Sequence, residues 1–116
     1  MNRRNIGSLY EEKAVKYLMN NNFTIIDKNF RCKIGEIDII AIKDGILRFI
    51  EVKYRRDTKY GYPAMAVSYN KKRKIEGAAL WFLNVHGEYM GMQCSFDVIA
   101  IHGDSIEYIY NAFNSF

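Results

Sequence analysis

The sequence predicts an α/β domain with a mixed sheet and few helices. Apolar residues recur at helical spacing near the N-terminus and again after the middle of the chain, whereas other segments are apolar-rich or alternate with period two, as strands do. Short glycine-containing turns join the strand segments in pairs. The order helix, strands, helix, strands indicates one sheet with helices packed against it.

The individual elements follow from these patterns. Helices are expected from about residue 8 to residue 20, where three asparagines stop the first, and over residues 70–84. Strands are expected over residues 23–27, 36–42, 47–54, 96–101 and 105–110, with a loop at 57–63. Asp44-Gly45 and Gly103-Asp104 supply tight turns, because glycine accepts a positive φ. Trp81 and Phe82 are expected in the core.

Length and composition favour a single domain over residues 1–116. Hydrophobic residues make up 49% and charged residues 26%, an ordinary globular balance. Charged residues follow the N-terminus too soon for a secretory signal, and no segment approaches the roughly 20 apolar residues of a membrane span. A cytoplasmic protein is therefore expected. Cys32 and Cys94 are predicted to be reduced thiols, and with isolated histidines they do not indicate a zinc site.

Positive charge is concentrated in one part of the chain. Between Lys53 and Glu76 there are eight basic and two acidic residues, so this window carries +6, against +4 for the whole chain and −2 for the remainder. Such a patch attracts polyanions, nucleic acid above all. A solvated, lysine-rich helix start would produce the same pattern.

The 36–42 and 47–54 strands bring four ionisable residues together. A two-residue turn at residues 44–45 would place Asp38 opposite Glu51, and Glu36 opposite Lys53, on an otherwise apolar face. Carboxylates about 5 Å apart repel, so a proton, a lysine or a divalent cation must neutralise them. Mg²⁺ is usually held by carboxylates and waters. A longer turn would shift the register by one residue and weaken the prediction.

The acidic residues of these strands and of the first helix also have structural explanations that involve no metal ion. Glu36 and Lys53 would form an ordinary salt bridge if inward charges protected an edge strand from aggregation. Glu11 lies on the inward stripe of the first helix with Ala14, but Ser8-x-x-Glu11 also fits a capping box, which the residues alone favour. Asp97, in an otherwise apolar strand, is expected to cap or to pair with a basic group near the site rather than to bind metal.

The segments Glu36-Ile-Asp38 and Glu51-Val-Lys53 resemble the split motif of the PD-(D/E)xK nuclease superfamily. More specifically, the chain resembles the YraN-type bacterial family, which is related to archaeal Holliday junction resolvases. Nearly the whole chain shares the likeness: Gly7-x-x-x-Glu11-x-x-Ala14, residues 31–41 and 49–55, Gly61-Tyr-Pro63, Ala66-Val67 with Lys71, and residues 96–100. Two positions depart from the pattern, Tyr10 where glycine is common and Ile37 where the superfamily has proline.

The resemblance implies a restriction-endonuclease-like fold, in which a central mixed sheet is flanked by α-helices. The implied ligands of Mg²⁺ or Mn²⁺ are Asp38, Glu51, Glu11 and the main-chain carbonyl of Val52. Lys53 is implied as the catalytic lysine, acting with the three carboxylates, and Lys71 is implied to face phosphate. The basic window adds further expected contacts to nucleic acid, and the full set is Tyr54, Arg55, Arg56, Lys59, Lys71 and Lys72.

Three functional hypotheses remain open at this point. The first is a metal-dependent endonuclease acting on structured DNA in repair or recombination, with a homodimer expected by analogy with junction resolvases. The alternative is a non-catalytic module on a nuclease fold that binds nucleic acid, DNA or RNA. In the third, a protein-interaction domain, the opposed charges would be only structural.

Overall fold

Five strands form one mixed sheet with a helix on each face, in a computed structural model that describes residues 3–55 and 67–113, the side chains of 3–8 and 55 excepted. The elements are α1 (Arg3–Asn20), β1 (Thr24–Arg31), β2 (Glu36–Lys43), β3 (Ile46–Arg55), α2 (Tyr69–Val85), a short 3-10 helix (Gly87–Tyr89), β4 (Cys94–His102) and β5 (Ser105–Ile109). The predicted α/β class, with a central sheet flanked by helices, is confirmed. The loop predicted at 57–63 lies outside the described residues.

The strands lie in the sheet in chain order, β1 to β5. All neighbours are antiparallel except β3 and β4, which run parallel. A parallel pair requires a crossover connection, and α2 lies in the segment between these two strands. Within the described segments, neither helix is long and apolar enough to cross a membrane.

The β2–β3 hairpin has the predicted register. Asp44 and Gly45 have φ values of 57° and 73°, as a two-residue type I′ turn requires. The ladder extends from this turn to Ile39, which lies opposite Ile50. The first residues of β2 and the last residues of β3 therefore lie together at the end of the hairpin opposite the turn.

The two faces of the sheet carry separate hydrophobic cores. The core on the α2 face includes Ile40, Leu47, Phe49, Phe96 and Val98 from the sheet and Ile75, Ala78, Ala79, Phe82 and Leu83 from the helix. The core on the α1 face includes Ile39, Ala41, Ile50, Ile99 and Ile101 from the sheet and Ala14 and Leu18 from the helix. Because side chains alternate along a strand, the central strands are buried on both faces.

The N-terminal helix starts earlier than predicted. It begins at Arg3 instead of near Ser8, so Ser8 lies inside the helix. A capping box satisfies N–H groups in the first turn of a helix, whereas Ser8 and Glu11 lie after the first turn of α1. The capping explanation of Glu11 is therefore wrong.

Trp81 is not a core residue. It is 50% exposed, whereas Phe82 is 1% exposed. Successive residues of an α-helix point about 100° apart, so a helix that buries Phe82 turns Trp81 towards solvent. The prediction for Phe82 is confirmed and that for Trp81 is wrong.

Asp97 belongs to a buried network on the α1 face. Its Oδ2 lies 3.4 Å from Nη1 of Arg48, and both side chains are buried. The other hydrogen bonds to Asp97 come from the hydroxyls of Ser95 and Tyr108 and from the main-chain N–H of Asn111. The predicted pairing with a basic group is present, but it lies on the opposite face of the sheet to Glu51, and the network ties β5 and the following residues to the sheet.

Two glycines allow the loop at residues 32–35, between β1 and β2, to pack closely on α2. A Cβ atom at Gly35 would lie 2.8 Å from the carbonyl oxygen of Lys74, and one at Gly77 would lie 2.3 Å from Cγ2 of Ile34. Neither position has room for a methyl group. The loop is therefore held against the helix at a fixed distance.

We expect Gly35→Ala to lower the free energy of unfolding by about 1–3 kcal/mol, the usual cost of overpacking. The reason is that the added methyl group meets helix backbone, which cannot rotate away. Urea unfolding of the variant would measure the loss. Gly87→Ala is the matched control, because a Cβ atom there meets nothing within 4 Å. Equal stability of the two variants would contradict the tight packing of the loop.

Candidate metal and nucleic-acid site

The end of the hairpin opposite its turn brings two carboxyl groups together. The side chains of Asp38 and Glu51 are within hydrogen-bonding reach of each other. Oδ2 of Asp38 also accepts the main-chain N–H of Val52 at 2.8 Å. Val52 lies beyond the last pair of the β2–β3 ladder. The Asp38 carboxylate therefore supplies the hydrogen-bond acceptor that the main chain of β2 does not supply there. Val52, whose carbonyl is the predicted main-chain ligand, is thus bound directly to the pair.

An irregularity in β1 and β2 helps to position Asp38. Asn29 of β1 has a φ of 56°, and the residues on either side of it pair with Ile39 and Ile37, so Asn29 is level with Asp38. Ile37 contributes to the core on the α2 face, whereas Ile39 contributes to the core on the α1 face. Residues two apart on a regular strand share a face. The regular alternation of faces along β2 is therefore interrupted at Asp38.

Two lysines contact the Glu51 carboxylate. Nζ of Lys71 lies 3.3 Å from Oε1 of Glu51, and Nζ of Lys53 lies 3.8 Å from the same oxygen. Lys71 stands in the first turn of α2, where its N–H donates to the N-cap hydroxyl of Ser68 at 3.2 Å. The family resemblance implied Lys53 as the catalytic lysine. In the structure, Lys71 lies closer to Glu51 than Lys53 does.

Burial decides how the carboxyl groups titrate. It raises the pKa of Glu51 to about 7; the charge of Asp38 adds to this effect, while Lys71 and Lys53 oppose it. Burial likewise raises the pKa of Asp38, although the Val52 N–H and Lys71 lower it. Near neutral pH the folded protein therefore retains a proton on the carboxyl pair for a substantial part of the time. The two nearby ammonium groups lower the pKa of Glu51 by less than burial and the charge of Asp38 together raise it.

The ammonium group of Lys71 is stabilised in its charged form. Burial lowers its pKa, but the charge of Glu51 and its hydrogen bond to Lys71 outweigh that effect and raise the pKa overall. Asp38 and Glu36 act in the same direction. Lys71 is therefore a permanent cation beside the carboxyl pair.

Glu11 borders the pair from helix α1. Burial, followed by the charge of Asp38, raises the pKa of Glu11, while a hydrogen bond with the Asn29 side chain lowers it. Oε1 of Glu11 is buried and has no hydrogen-bond partner among the described residues. No three His, Cys, Asp or Glu side chains converge closely enough to hold one metal ion in residues 3–55 and 67–113. Asp38 and Glu51 thus form the cluster, and Glu11 lies next to it.

Tyr54, one of the expected contacts to nucleic acid, already stacks on another ring. Its centroid lies 4.0 Å from that of Tyr10, with 10° between the ring planes, and Tyr54 remains 40% exposed. Tyr10 directly precedes Glu11 on α1. The pair therefore fixes the end of β3 against the helix that carries Glu11. Sequence reasoning noted Tyr10 only as a departure from a family pattern.

The other predicted contacts to nucleic acid are distributed differently. Nζ of Lys72 lies 5.7 Å from the ring centroid of Phe113, a contact that Lys71, at the carboxyl pair, does not share. The main chain of Arg55 ends β3 and pairs with His102. Arg56 and Lys59 lie outside the described residues. Lys71 is thus the predicted phosphate contact that the structure brings to the carboxyl pair.

Comparison with known proteins gives consistent matches over most of the chain. A family model described as "Uncharacterised protein family UPF0102" matches residues 10–101. A UPF0102 protein of Lachnoclostridium phytofermentans is 37% identical over 116 residues, which cover 100% of this chain and 98% of the relative. UPF0102 proteins of Desulfosudis oleivorans and Persephonella marina are each 41% identical, over 97% and 93% of this chain and 93% and 92% of their own lengths. The matched segment contains the carboxyl pair, both lysines and Glu11.

Proposed function

Because the chain belongs to the uncharacterised protein family UPF0102, whose description names no reaction, we propose a function from its own site: a divalent-metal-dependent endonuclease of the PD-(D/E)xK type. Its substrate would be structured DNA in the cytoplasm, during repair or recombination. The observation that carries the proposal is the pair formed by the half-buried Asp38 and the buried Glu51, with two lysines on Glu51. Paired cuts in a junction would need two copies of the chain, so a homodimer accompanies the proposal.

The residues present fit a divalent cation. Carboxylate and carbonyl oxygens are the ligands that Mg²⁺ and Mn²⁺ prefer, and one or two carboxylates with waters are enough for Mg²⁺. Asp38 and Glu51 would hold the ion with the carbonyl of Val52. Burial and then the charge of Asp38 raise the pKa of Glu51, and a bound cation would offset both effects by favouring the ionised carboxylate. The unpartnered Oε1 of Glu11 would accept a hydrogen bond from a nearby water. When bound, the cation polarises the scissile phosphate and makes water a stronger nucleophile at neutral pH.

The two lysines would supply the remaining chemistry. In the absence of substrate both ammonium groups are directed to Glu51. With the charge of the carboxylates offset, Lys53 and Lys71 would be able to donate to the oxygens of a bound phosphate, whose negative charge grows during hydrolysis. Lys53 would orient the attacking water, and Lys71, whose pKa is raised, would remain charged and stabilise the phosphate.

A second candidate function has a specific observation in its favour. Lys53 and Lys71 place two positive charges beside the two carboxyl groups, so with the proton that the pair retains near neutral pH the site needs no metal ion to balance its charge. A non-catalytic module would require only this balance and a positive surface. Such a module would bind nucleic acid in a salt-dependent manner and would not depend on metal.

Cleavage assays test the two functions against each other. The purified full chain would be incubated with labelled duplex, single-stranded, flap and four-way-junction DNA, and with RNA, in Mg²⁺, Mn²⁺ or EDTA. We expect metal-dependent cleavage of a DNA substrate, and a loss of at least about 100-fold in Lys53→Ala, because a group that stabilises the transition state is removed. Lys13→Ala, at an exposed position of α1, should cleave normally. Salt-sensitive binding without any cleavage would support the module instead.

A further inference from the structure

A basic groove leads away from the carboxyl pair along α2. One wall is the loop at residues 32–35 with the strand residues that flank it, and the other is the first half of the helix. The cavity measures about 450 Å³, and Glu36 and Lys71 line it at the end nearest the pair. The loop and the helix touch at Gly35 and Gly77, which holds the two walls in a fixed position relative to each other. A neighbouring cavity shares residues 31–34 with it and is lined by Trp81; we call the two adjoining cavities together the α2 groove.

Positive charge dominates the α2 groove. Its charged side chains are Arg31, Lys33, Lys71, Lys74 and Glu36. Glu36 is paired with Arg31, whose Nε lies 3.2 Å from Oε2 of Glu36. Over the residues that the structure describes, Lys33 and Lys74 have no salt bridge to an acidic side chain, and both are exposed. A polyanion in the groove would therefore find two unpaired ammonium groups beyond the site itself.

The far end of the α2 groove is aromatic. A second cavity, of about 580 Å³, extends from Arg31 and the loop to Trp81. Trp81 is 50% exposed and stands seven residues after Lys74, so the two side chains lie on one stripe of α2, two turns apart. At 1.5 Å per residue, Trp81 lies roughly 15 Å along the helix from Lys71. The groove is thus a cationic track a few nucleotides long that ends in an exposed indole ring.

We propose that the α2 groove binds a single-stranded nucleic-acid segment next to the scissile bond, with phosphates at Lys33 and Lys74 and an unpaired base stacked on Trp81. Basic tracks with exposed aromatic rings suit single strands, because a ring can stack on a base only when the base has left the duplex. A second copy of the chain is a poorer occupant, because a symmetric contact would bring the unpaired lysines of both copies together. The position of the scissile bond in this inference rests on the proposed function. A groove of this kind would favour substrates that have a single-stranded arm.

Trp81 is the only tryptophan of the chain, so its fluorescence reports directly on the groove. In EDTA, where the proposed cleavage is blocked, titration with oligothymidylate of 4–12 nucleotides should quench this fluorescence saturably, and blunt duplex of equal length should do so much less. Binding of a dye-labelled oligonucleotide, followed by anisotropy, should weaken about 5- to 100-fold in Trp81→Ala, the range for loss of one stacked base. Lys74→Ala should weaken binding and reduce its salt dependence by about one phosphate contact.

Leu80→Ala is the matched control, because Leu80 is also an exposed apolar residue of α2 but does not line the groove; its affinity should stay within about twofold of the wild type. Unchanged oligonucleotide binding by Trp81→Ala, or fluorescence that does not respond, would overturn the proposal. Self-association that Trp81→Ala abolishes, without an effect on oligonucleotide binding, would assign the surface to a second copy and overturn it as well. Because binding is measured without metal, a failure of the nuclease proposal would appear only in the cleavage assay.

Discussion

Asp38→Asn is expected to slow metal-dependent cleavage by at least about 1000-fold and, at the same time, to stabilise the metal-free protein. The first effect follows because Asp38 is one of the two carboxylates that we propose as metal ligands. The second follows because the charge of Asp38 opposes ionisation of both Glu51 and Glu11. An asparagine oxygen can still accept the N–H of Val52, so the strand contact is retained. We expect a gain of about 1–2 kcal/mol, since each unit of relieved pKa shift is worth about 1.4 kcal/mol.

Thermal unfolding in EDTA and at increasing Mg²⁺ concentrations separates the two effects. The wild type should start with a lower Tm and rise with Mg²⁺, whereas Asp38→Asn should start higher by a few degrees and not respond. Asp44→Asn removes the same charge from the opposite end of the same hairpin, at an exposed turn position with a φ of 57° that asparagine tolerates. It should leave both the Tm and the Mg²⁺ response unchanged. A Mg²⁺ response retained by Asp38→Asn would remove the carboxyl pair as the metal site.

That Asp38 and Glu51 lie close together could be predicted from the sequence because their proximity depends on a local rule for turns. Asp44-Gly45 specifies a two-residue turn, and such a turn fixes which residues of the two strands face each other. The ladder confirms that register as far as Ile39 and Ile50. The sequence did not indicate the left-handed conformation of Asn29, level with Asp38, which accompanies the interrupted alternation of faces along β2.

Lys71 and Trp81 show where periodicity stops being informative. Helical spacing identifies the buried stripe of α2, but the direction of each exposed side chain depends on how the helix crosses the sheet. Lys71 reaches Glu51 because the helix starts above the end of β3, and Ser68 three residues earlier was the one local signal of that start. Trp81 was assigned to the core from its hydrophobicity, yet the glycine contacts at the 32–35 loop hold the helix so that Trp81 lines a groove.

Tyr10 forms an aromatic pair with Tyr54 that the family pattern did not predict. The resemblance led to an expectation of glycine at this position, from which Tyr10 departs. The structure places that ring parallel to Tyr54 at 4.0 Å. Aromatic stacking of this kind adds about 0.5–1.5 kcal/mol beyond the buried area. Tyr10 and Tyr54 should therefore be treated as one unit, and Tyr54 offers at most one free face to a base.

The metal-free protein is expected to lose stability between about pH 5 and pH 8 because of Glu51. Burial and the charge of Asp38 raise the pKa of this carboxyl group in the folded protein from 4.5 to about 7. Between these two values the folded state keeps a proton that the unfolded chain has released. The resulting stabilisation is complete below pH 4.5, declines as the pH rises through 7, and is absent above it. A shift of this size corresponds to about 3 kcal/mol.

Urea unfolding of the wild type and of Glu51→Gln, at several pH values in EDTA, measures the contribution of this carboxyl group together with its effect on Asp38 and Lys71. The two should be similarly stable near pH 4.5, and Glu51→Gln should be the more stable by about 2–3 kcal/mol at pH 8. Glu107→Gln, at an exposed position of β5, should follow the wild-type curve. Saturating Mg²⁺ should flatten the wild-type curve, because a bound cation favours the ionised carboxylate. Parallel curves for the wild type and Glu51→Gln would mean that Lys71 and Lys53 keep Glu51 ionised throughout, and the site would then be neutral without metal, as a binding module requires.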